Sequence, residues 1–334
     1  KVQMTSQTFT RLLVPRFTAY RELTDDKSTY ARMIQKMVKD ENRNNLIIDD
    51  VRKTLTEGRS PIVLTNLTTH VETLANALAP YCKYVVTLIG SESAREKHQK
   101  MELLQGISPT EPLVIVATGK YVGEGFDYPR LDTLFLALPV SWKGIIAQYA
   151  GRLHREYPGK KEVRIYDYID IRIPMCDVMY KRRLRGYASV GYQIKSNEPM
   201  NIFNESHSVI FNGHTYLGKF FNDLSQAKRS VVISATKLWF SKRSSVLDML
   251  KDLLARGVEV IAVIRSDLEK EERLKETGAN VRVNDSLAID VVIIDKSLIW
   301  YGSVNYLGYN TDENNAICIY DLKLAENILE VLYT

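Results

Sequence analysis

At 334 residues, 45% hydrophobic and 25% charged, the chain has the make-up of a globular protein long enough for two domains. A net charge of +5 suits a nucleic-acid partner without demanding one. Its three scattered cysteines have neither metal-ligand nor disulfide spacing, and no apolar run approaches the ~20 residues of a membrane span, so a reducing, cytoplasmic setting without membrane contact is expected.

Residues 1–58 read as mainly helical, with "STYARMIQKMVKDENRNNLIIDDVRKTLTEG" apolar at helical spacing and closed by Gly58. The pattern then changes. "PIVLTNL" (61–67), "YVVTLIG" (84–90), "PLVIVATG" (112–119), "LDTLFLALP" (131–139) and "EVRIYDYID" (162–170) read as buried strands. Helices are expected between them over 70–80 and, capped, over 91–105. Unbroken Val/Ile/Leu runs alternating with helices predict an α/β domain with a parallel sheet covered on both faces, whose ligands sit at the carboxyl ends of the strands.

The basic segment "MYKRRLRGY" (179–187) ends a helix, and a linker is expected over 192–204, between domains at 1–191 and 205–334. The second block continues with a strand at 207–213, a helix at 214–227, a strand at 230–236, a helix at 244–256, a strand at 258–264 and a helix at 267–277. Strands at 279–283, 288–294 and 297–301 and a helix at 322–332 complete a second α/β domain. In "TKLWFSKR" (236–243), Trp239 and Phe240 are candidates for base stacking, with core packing or an interdomain contact the favoured expectation.

Two segments carry chemistry. In "KYVGEGFDYP" (120–129) and just before it, Gly119, Gly123 and Gly125 permit positive φ and close approach of a ligand, and Asp127 can accept hydrogen bonds. "QYAGRLHR" (148–155) reads as the opening of a helix that projects Gln148, Arg152 and Arg155, the two arginines on one face. Guanidinium forks hold phosphate oxygens and neutralise charge that develops in phosphoryl transfer.

"ATGKYVGEGFD" (117–127) resembles motif V, "QYAGRLHR" motif VI, and "PIVLTNLTTHVETLANAL" (61–78) the motif IV region of superfamily 2 helicases. The resemblance covers roughly residues 1–190 and implies a second RecA-like domain. It implies that Arg152 and Arg155 act as arginine fingers with Gln148. Gly123, Gly125 and Asp127 would line the nucleotide cleft, and Asn66, Thr118 and Gly119 would face a nucleic-acid backbone. The sequence contains no "GxxxxGK[ST]" phosphate loop and no "DExH/D" motif. Half of an ATPase site is therefore expected, with ATP and Mg²⁺ held mainly by a preceding RecA-like domain and no hydrolysis by this chain alone.

"AIDVVIIDKSLIWYGSVNYLG" (288–308) resembles the phospholipase D-like superfamily, with Asp295, Ser303 and Asn305 in motif positions. The histidine and lysine positions hold Ala288 and Asp290, which can neither attack phosphorus nor hold a phosphate, so a degenerate phosphodiesterase site is expected. No resident metal is expected. The reading is the C-terminal part of an ATP-dependent DNA helicase or translocase, with RNA as the other polymer and homodimerisation through the second domain. The alternatives are a nuclease around Asp290, Asp295 and Ser303, or a non-catalytic nucleic-acid-binding module.

Overall fold

The first element is a strand, β1 (Thr10–Phe17), where the sequence reading expects helix. Pro15 and the arginines at 11 and 16 disguise it, yet all eight residues pair in parallel with a later strand. In this computed structural model the described residues are 9–21, 29–123, 126–140, 145–195, 210–239, 245–308 and 310–333. Residues 196–204 of the expected linker, together with Gly125 and Phe240, lie outside them. The chain divides into two compact units, Lys1–Arg183 and Leu184–Thr334.

Two helices follow β1. They are α1 (Tyr30–Met37) and α2 (Glu41–Thr56), the second capped by the Asp40 carboxylate on the Arg43 N–H at 2.7 Å. Gly58, at φ 73°, closes α2 where a side chain would be strained. The apolar runs then become β2 (Pro61–Thr65), β3 (Tyr84–Leu88) and β4 (Leu113–Thr118), separated by α3 (Thr68–Leu78) and α4 (Ala94–Gly106). A reciprocal capping box between Ser93 and Glu96 starts α4, as the "SESARE" pattern foretells. A five-residue helix, α5 (Gly119–Gly123), stands where the sequence reading has a turn. After it come β5 (Thr133–Leu136), α6 (Ile145–Leu153), β6 (Glu162–Ile169), α7 (Pro174–Ser189) and β7 (Gln193–Ile194). The sheet order is β3-β4-β2-β5-β6-β1-β7, and every pairing from β3 through β1 is parallel.

Two buried ion pairs fasten this sheet to its helices. Arg43 on α2 forks onto Asp170, just past β6, at 2.9 and 3.2 Å. Arg183 on α7 forks onto Asp167 of β6 at 2.8 and 2.8 Å. Each guanidinium donates its remaining nitrogen to a carbonyl of the segment after β5: Arg43 to Ala137 O at 2.5 Å, and Arg183 to Val140 O at 2.6 Å. The side chains of the Arg43 pair are 0% exposed, so each charge depends on the other.

The second unit contains β8 (Phe211–Asn212), α8 (Tyr216–Ser225), β9 (Ser230–Ala235), α9 (Ser245–Ala255), β10 (Glu259–Ile264) and α10 (Leu268–Lys275). Then come β11 (Asn280–Val283), β12 (Val291–Ile294), β13 (Leu298–Gly302), β14 (Asn315–Tyr320) and α11 (Leu322–Tyr333). The sheet is mixed, in the order β11-β10-β9-β12-β13-β14-β8. β14, absent from the sequence reading, pairs antiparallel with β13, and its backbone runs where a Cβ on Gly302 would stand. Buried Trp300 donates its indole N–H to Asp223 at 3.0 Å, which anchors an aromatic side chain inside the core.

Asp170→Ala strands the buried Arg43 guanidinium and is expected to lower the unfolding free energy by about 3–5 kcal/mol. Asp49→Ala removes an exposed partner of Arg52 and should change it by less than about 0.5 kcal/mol. Urea midpoints of the two variants check this; equally small shifts would show that the buried pair is not holding the sheet.

Candidate functional site

The carboxyl ends of β2, β3 and β4 are tied together by side chains from their own loops. Asn66 follows β2 and is exposed, and the Tyr30 hydroxyl, which donates to Pro139 O at 2.7 Å, also bonds its side chain. Thr118 ends β4; its buried hydroxyl accepts the Gly90 N–H at 3.0 Å. That contact uses the side chain to join the loop after β3 to β4, rather than leaving it turned to a ligand. Gly119 is not at positive φ, contrary to the sequence argument for it. Its need for glycine is spatial, because a Cβ there would collide with the Tyr149 hydroxyl and come within 3.5 Å of Asn66 Oδ1. Asn66, Gly119 and Tyr149 therefore meet at one point. Burial pushes the Tyr149 hydroxyl up to about 12, so it stays protonated.

Beneath Asn66 runs a buried chain of hydrogen bonds. Thr65 Oγ1 meets His70 Nδ1 at 2.8 Å, His70 Nε2 meets Asn44 Oδ1 at 3.0 Å, and Asn44 Nδ2 donates to Val38 O at 2.9 Å. Burial, with the Arg43 charge adding to it, lowers the His70 imidazole to about 4.

The second cluster lies on the other side of α6. Gln148, Gly151, Arg152 and Arg155 line one hollow of about 250 Å³. Gln148, Gly151 and Arg152 lie within α6, and Arg155 beyond its end. Arg155 lies past Leu153, outside the helix, so the two arginines do not share a helical face. Arg155 is instead held at two points. Its Nε faces Asp127 Oδ1 at 3.4 Å, and its carbonyl accepts Lys160 Nζ at 2.7 Å. The same ammonium donates to Leu153 O at 3.1 Å and Pro129 O at 2.6 Å, joining the end of α6 to the segment that carries Asp127. Burial lowers the Lys160 ammonium to about 8. Gly123 ends α5, so it does not form the open turn expected there.

No family model matches the chain. Over 192 residues, 51% of the chain, it is 27% identical to "Putative helicase 161L" of Invertebrate iridescent virus 6. The likeness to that relative is to a putative helicase, over about half of the chain. A second relative, "Transcript termination protein A18" of Fowlpox virus, is 26% identical over 139 residues, 41% of the chain. The chain spans only 38% and 29% of the lengths of these two relatives. Among solved structures, a phospholipase D family member, Nuc from Salmonella typhimurium, is 21% identical with a TM-score of 0.32, covering 36% of this chain and 86% of that one.

In the second unit, Asp295 and Ser303 do not meet. Ile294 pairs with Leu298 and Val291 with Tyr301, so Asp295 sits at the closed end of the β12–β13 hairpin and Ser303 beyond the open end. Asp295, at φ 51°, accepts backbone N–H groups of Lys228, Arg229 and Ser230 at 2.7–3.2 Å. Burial opposes its charge, but those N–H groups hold its carboxyl below the usual range. It fastens β9 to β12 and is no part of a phosphodiesterase site. Asp290 lies at the opposite end of β12, about 16 Å away along the strand. The two carboxylates cannot share a metal, which removes the nuclease arrangement built on both. Among the described residues no group of three or more metal-ligating side chains occurs.

Ser303 and Asn305 do lie together, with Asp290 and Asn314, around a cleft of about 410 Å³. Each has structural work there. Ser303 Oγ accepts the Asn315 N–H at 2.9 Å, and Asn305 bridges Lys237 O at 2.7 Å and the Leu307 N–H at 3.0 Å.

His70 supplies a pH test. The unfolded imidazole titrates near its ordinary 6.5 and the folded one near 4. Its contribution is full above pH 6.5 and is lost as the pH falls toward 4, where the unfolded chain takes up a proton the folded one refuses. In His70→Gln, the loss of stability between pH 6.5 and 4 should be smaller than in the parent, read from urea unfolding at several pH values. An unchanged slope would assign the acid sensitivity to other groups.

Proposed function

We propose that the first unit supplies half of an ATP-hydrolysing site in a superfamily 2 helicase or translocase acting on DNA. The observation that carries this reading is the hollow in which Gln148, Arg152 and Arg155 converge. Two guanidinium groups, a carboxamide and an open glycine surface suit the oxygens of a polyphosphate; a Cβ on Gly151 would meet nothing within 4 Å. Among the described residues no acidic side chain lines that hollow, so Mg²⁺ would be held by the phosphate-loop half on a preceding RecA-like domain.

ATP in such a cleft supplies the free energy of closure and the phosphoryl group to be transferred to water. Arg152, from the last turn of α6, would stabilise charge on the transferring phosphoryl oxygens. Asp127 would orient Arg155 through their 3.4 Å contact, leaving its other nitrogens for phosphate. Closure is favoured because nucleotide binds both halves at once only in the closed form. A strand would be gripped near Asn66, beside the carboxyl ends of β2 and β4, so that closure moves it.

In a protein that joins this chain to a phosphate-loop domain, Arg152→Ala should lower the DNA-stimulated kcat for ATP by about 1,000-fold or more, with a smaller change in KM. Arg155→Ala should act in the same direction, and Asp127→Asn more weakly. Single-strand DNA and RNA of equal length, compared as activators, identify the polymer. An Arg152→Ala protein with the parent kcat would remove the arginines from the reaction.

A further inference from the structure

The second unit carries a feature that the half-site does not use. Trp239 is 70% exposed, so it does not take the core packing that was one of the two placements favoured for it. It is not a loose side chain on a tail. Its backbone N–H donates to Leu307 O at 3.1 Å, and the neighbouring Lys237 carbonyl accepts Asn305 Nδ2 at 2.7 Å. An asparagine network fixes that support: Asn310 Oδ1 accepts the Asn305 N–H at 2.7 Å, and its amide donates to Tyr216 Oη at 3.2 Å. The indole is therefore held out on a rigid base just past the carboxyl end of β9.

Two hollows share this indole. One, about 410 Å³, is bounded by Asp290, Ser303 and Asn314; the other, about 280 Å³, by Arg265 and Lys270. Thr236, Lys237 and Trp239 line both. Two adjoining cavities that share one aromatic fit successive units of a polymer better than a single small molecule. Lys237, Arg265 and Lys270 line the hollows against Asp267 and Asp290, three cations to two carboxylates. Asp267 is paired with Lys270 at 2.9 Å, and Asp290 accepts the Thr236 N–H and hydroxyl at 2.7 and 3.1 Å, which leaves Lys237 and Arg265 as the cations not paired with Asp267. Lys237 is exposed beside the indole, and Arg265 is tethered at the mouth by its Nε on Leu287 O at 2.7 Å.

We propose that this double hollow binds a single strand of nucleic acid, with one base stacked on Trp239 and the adjoining phosphates beside Lys237 and Arg265. Stacking on an aromatic platform with flanking cations is how a strand is held without sequence preference. With Ala288 and Asp290 in place of a nucleophile and a phosphate-binding lysine, the strand is bound and not cut. The site is independent of the arginine half-site, and either can fail without the other.

The test is a titration of a fluorescein-labelled oligothymidylate with the 334-residue chain, followed by anisotropy and by tryptophan emission. Trp239→Ala should weaken binding about 5- to 100-fold, with Trp239→Phe recovering most of the loss. Quenching by the strand should be smaller in Trp239→Phe. Lys237→Ala should reduce the slope of log affinity against log salt by about 0.7. Both side chains are exposed, so urea midpoints should stay at the parent value, which separates lost binding from lost folding. Parent affinity in Trp239→Ala, or undiminished quenching in Trp239→Phe, would overturn the proposal.

Discussion

The arrangement of the first unit depends on two arginines that each do the same two things. Arg43 and Arg183 neutralise a buried aspartate at the end of β6 and, with the nitrogen left over, hold a carbonyl of the segment 137–140. With Tyr30 on Pro139 O, three carbonyls in four residues are pinned from three different helices or their flanks. This segment leads from the central strand β5 toward α6, and α6 carries Gln148 and Arg152. Without its counter-ion each guanidinium would be a bare charge in an apolar interior. The pair therefore exists as a unit or fails as a unit, and the course of the chain beyond β5 is fixed with it. The geometry of the candidate nucleotide surface is inherited from charges that never reach that surface.

The second unit solves the same problem with neutral and backbone groups. Asp295 collects three N–H groups at the closed end of a hairpin, and asparagines 305, 310 and 314 tie the loops at the open end. The motif residues that survive in the sequence survive as parts of these ties.

Much of the fold was legible because continuous apolar runs have one stable fate, a strand buried on both faces. β4, with all six residues buried, is the clearest case. β1 was not legible: its arginines and Pro15 weaken the apolar signal, and pairing along β6 compensates for what the local sequence lacks. β14 was missed because its partner strand, not its own period, defines it. At the site, the residue types of 148–155 were readable, but the end of α6 at Leu153 was not, so Arg155 was placed on a helix it lies beyond. Lys160 could have been suspected only from "PGKK" closing back on the helix. The exposure of Trp239 was only one of the readings its basic, aromatic surroundings allowed, since an indole four residues past a buried strand also suits the core. The Arg43–Asp170 pair joins residues 127 apart in sequence, beyond any local pattern.

The central claim is that the arginine surface is half of a site and needs a phosphate-loop partner. The most direct measurement is ATP hydrolysis with saturating single-stranded DNA, by the chain alone and then joined to a phosphate-loop domain. No turnover alone, and turnover on joining, is the expected result. Steady hydrolysis by the chain alone would contradict it, since the phosphate-holding and water-activating groups would then have to lie within these 334 residues.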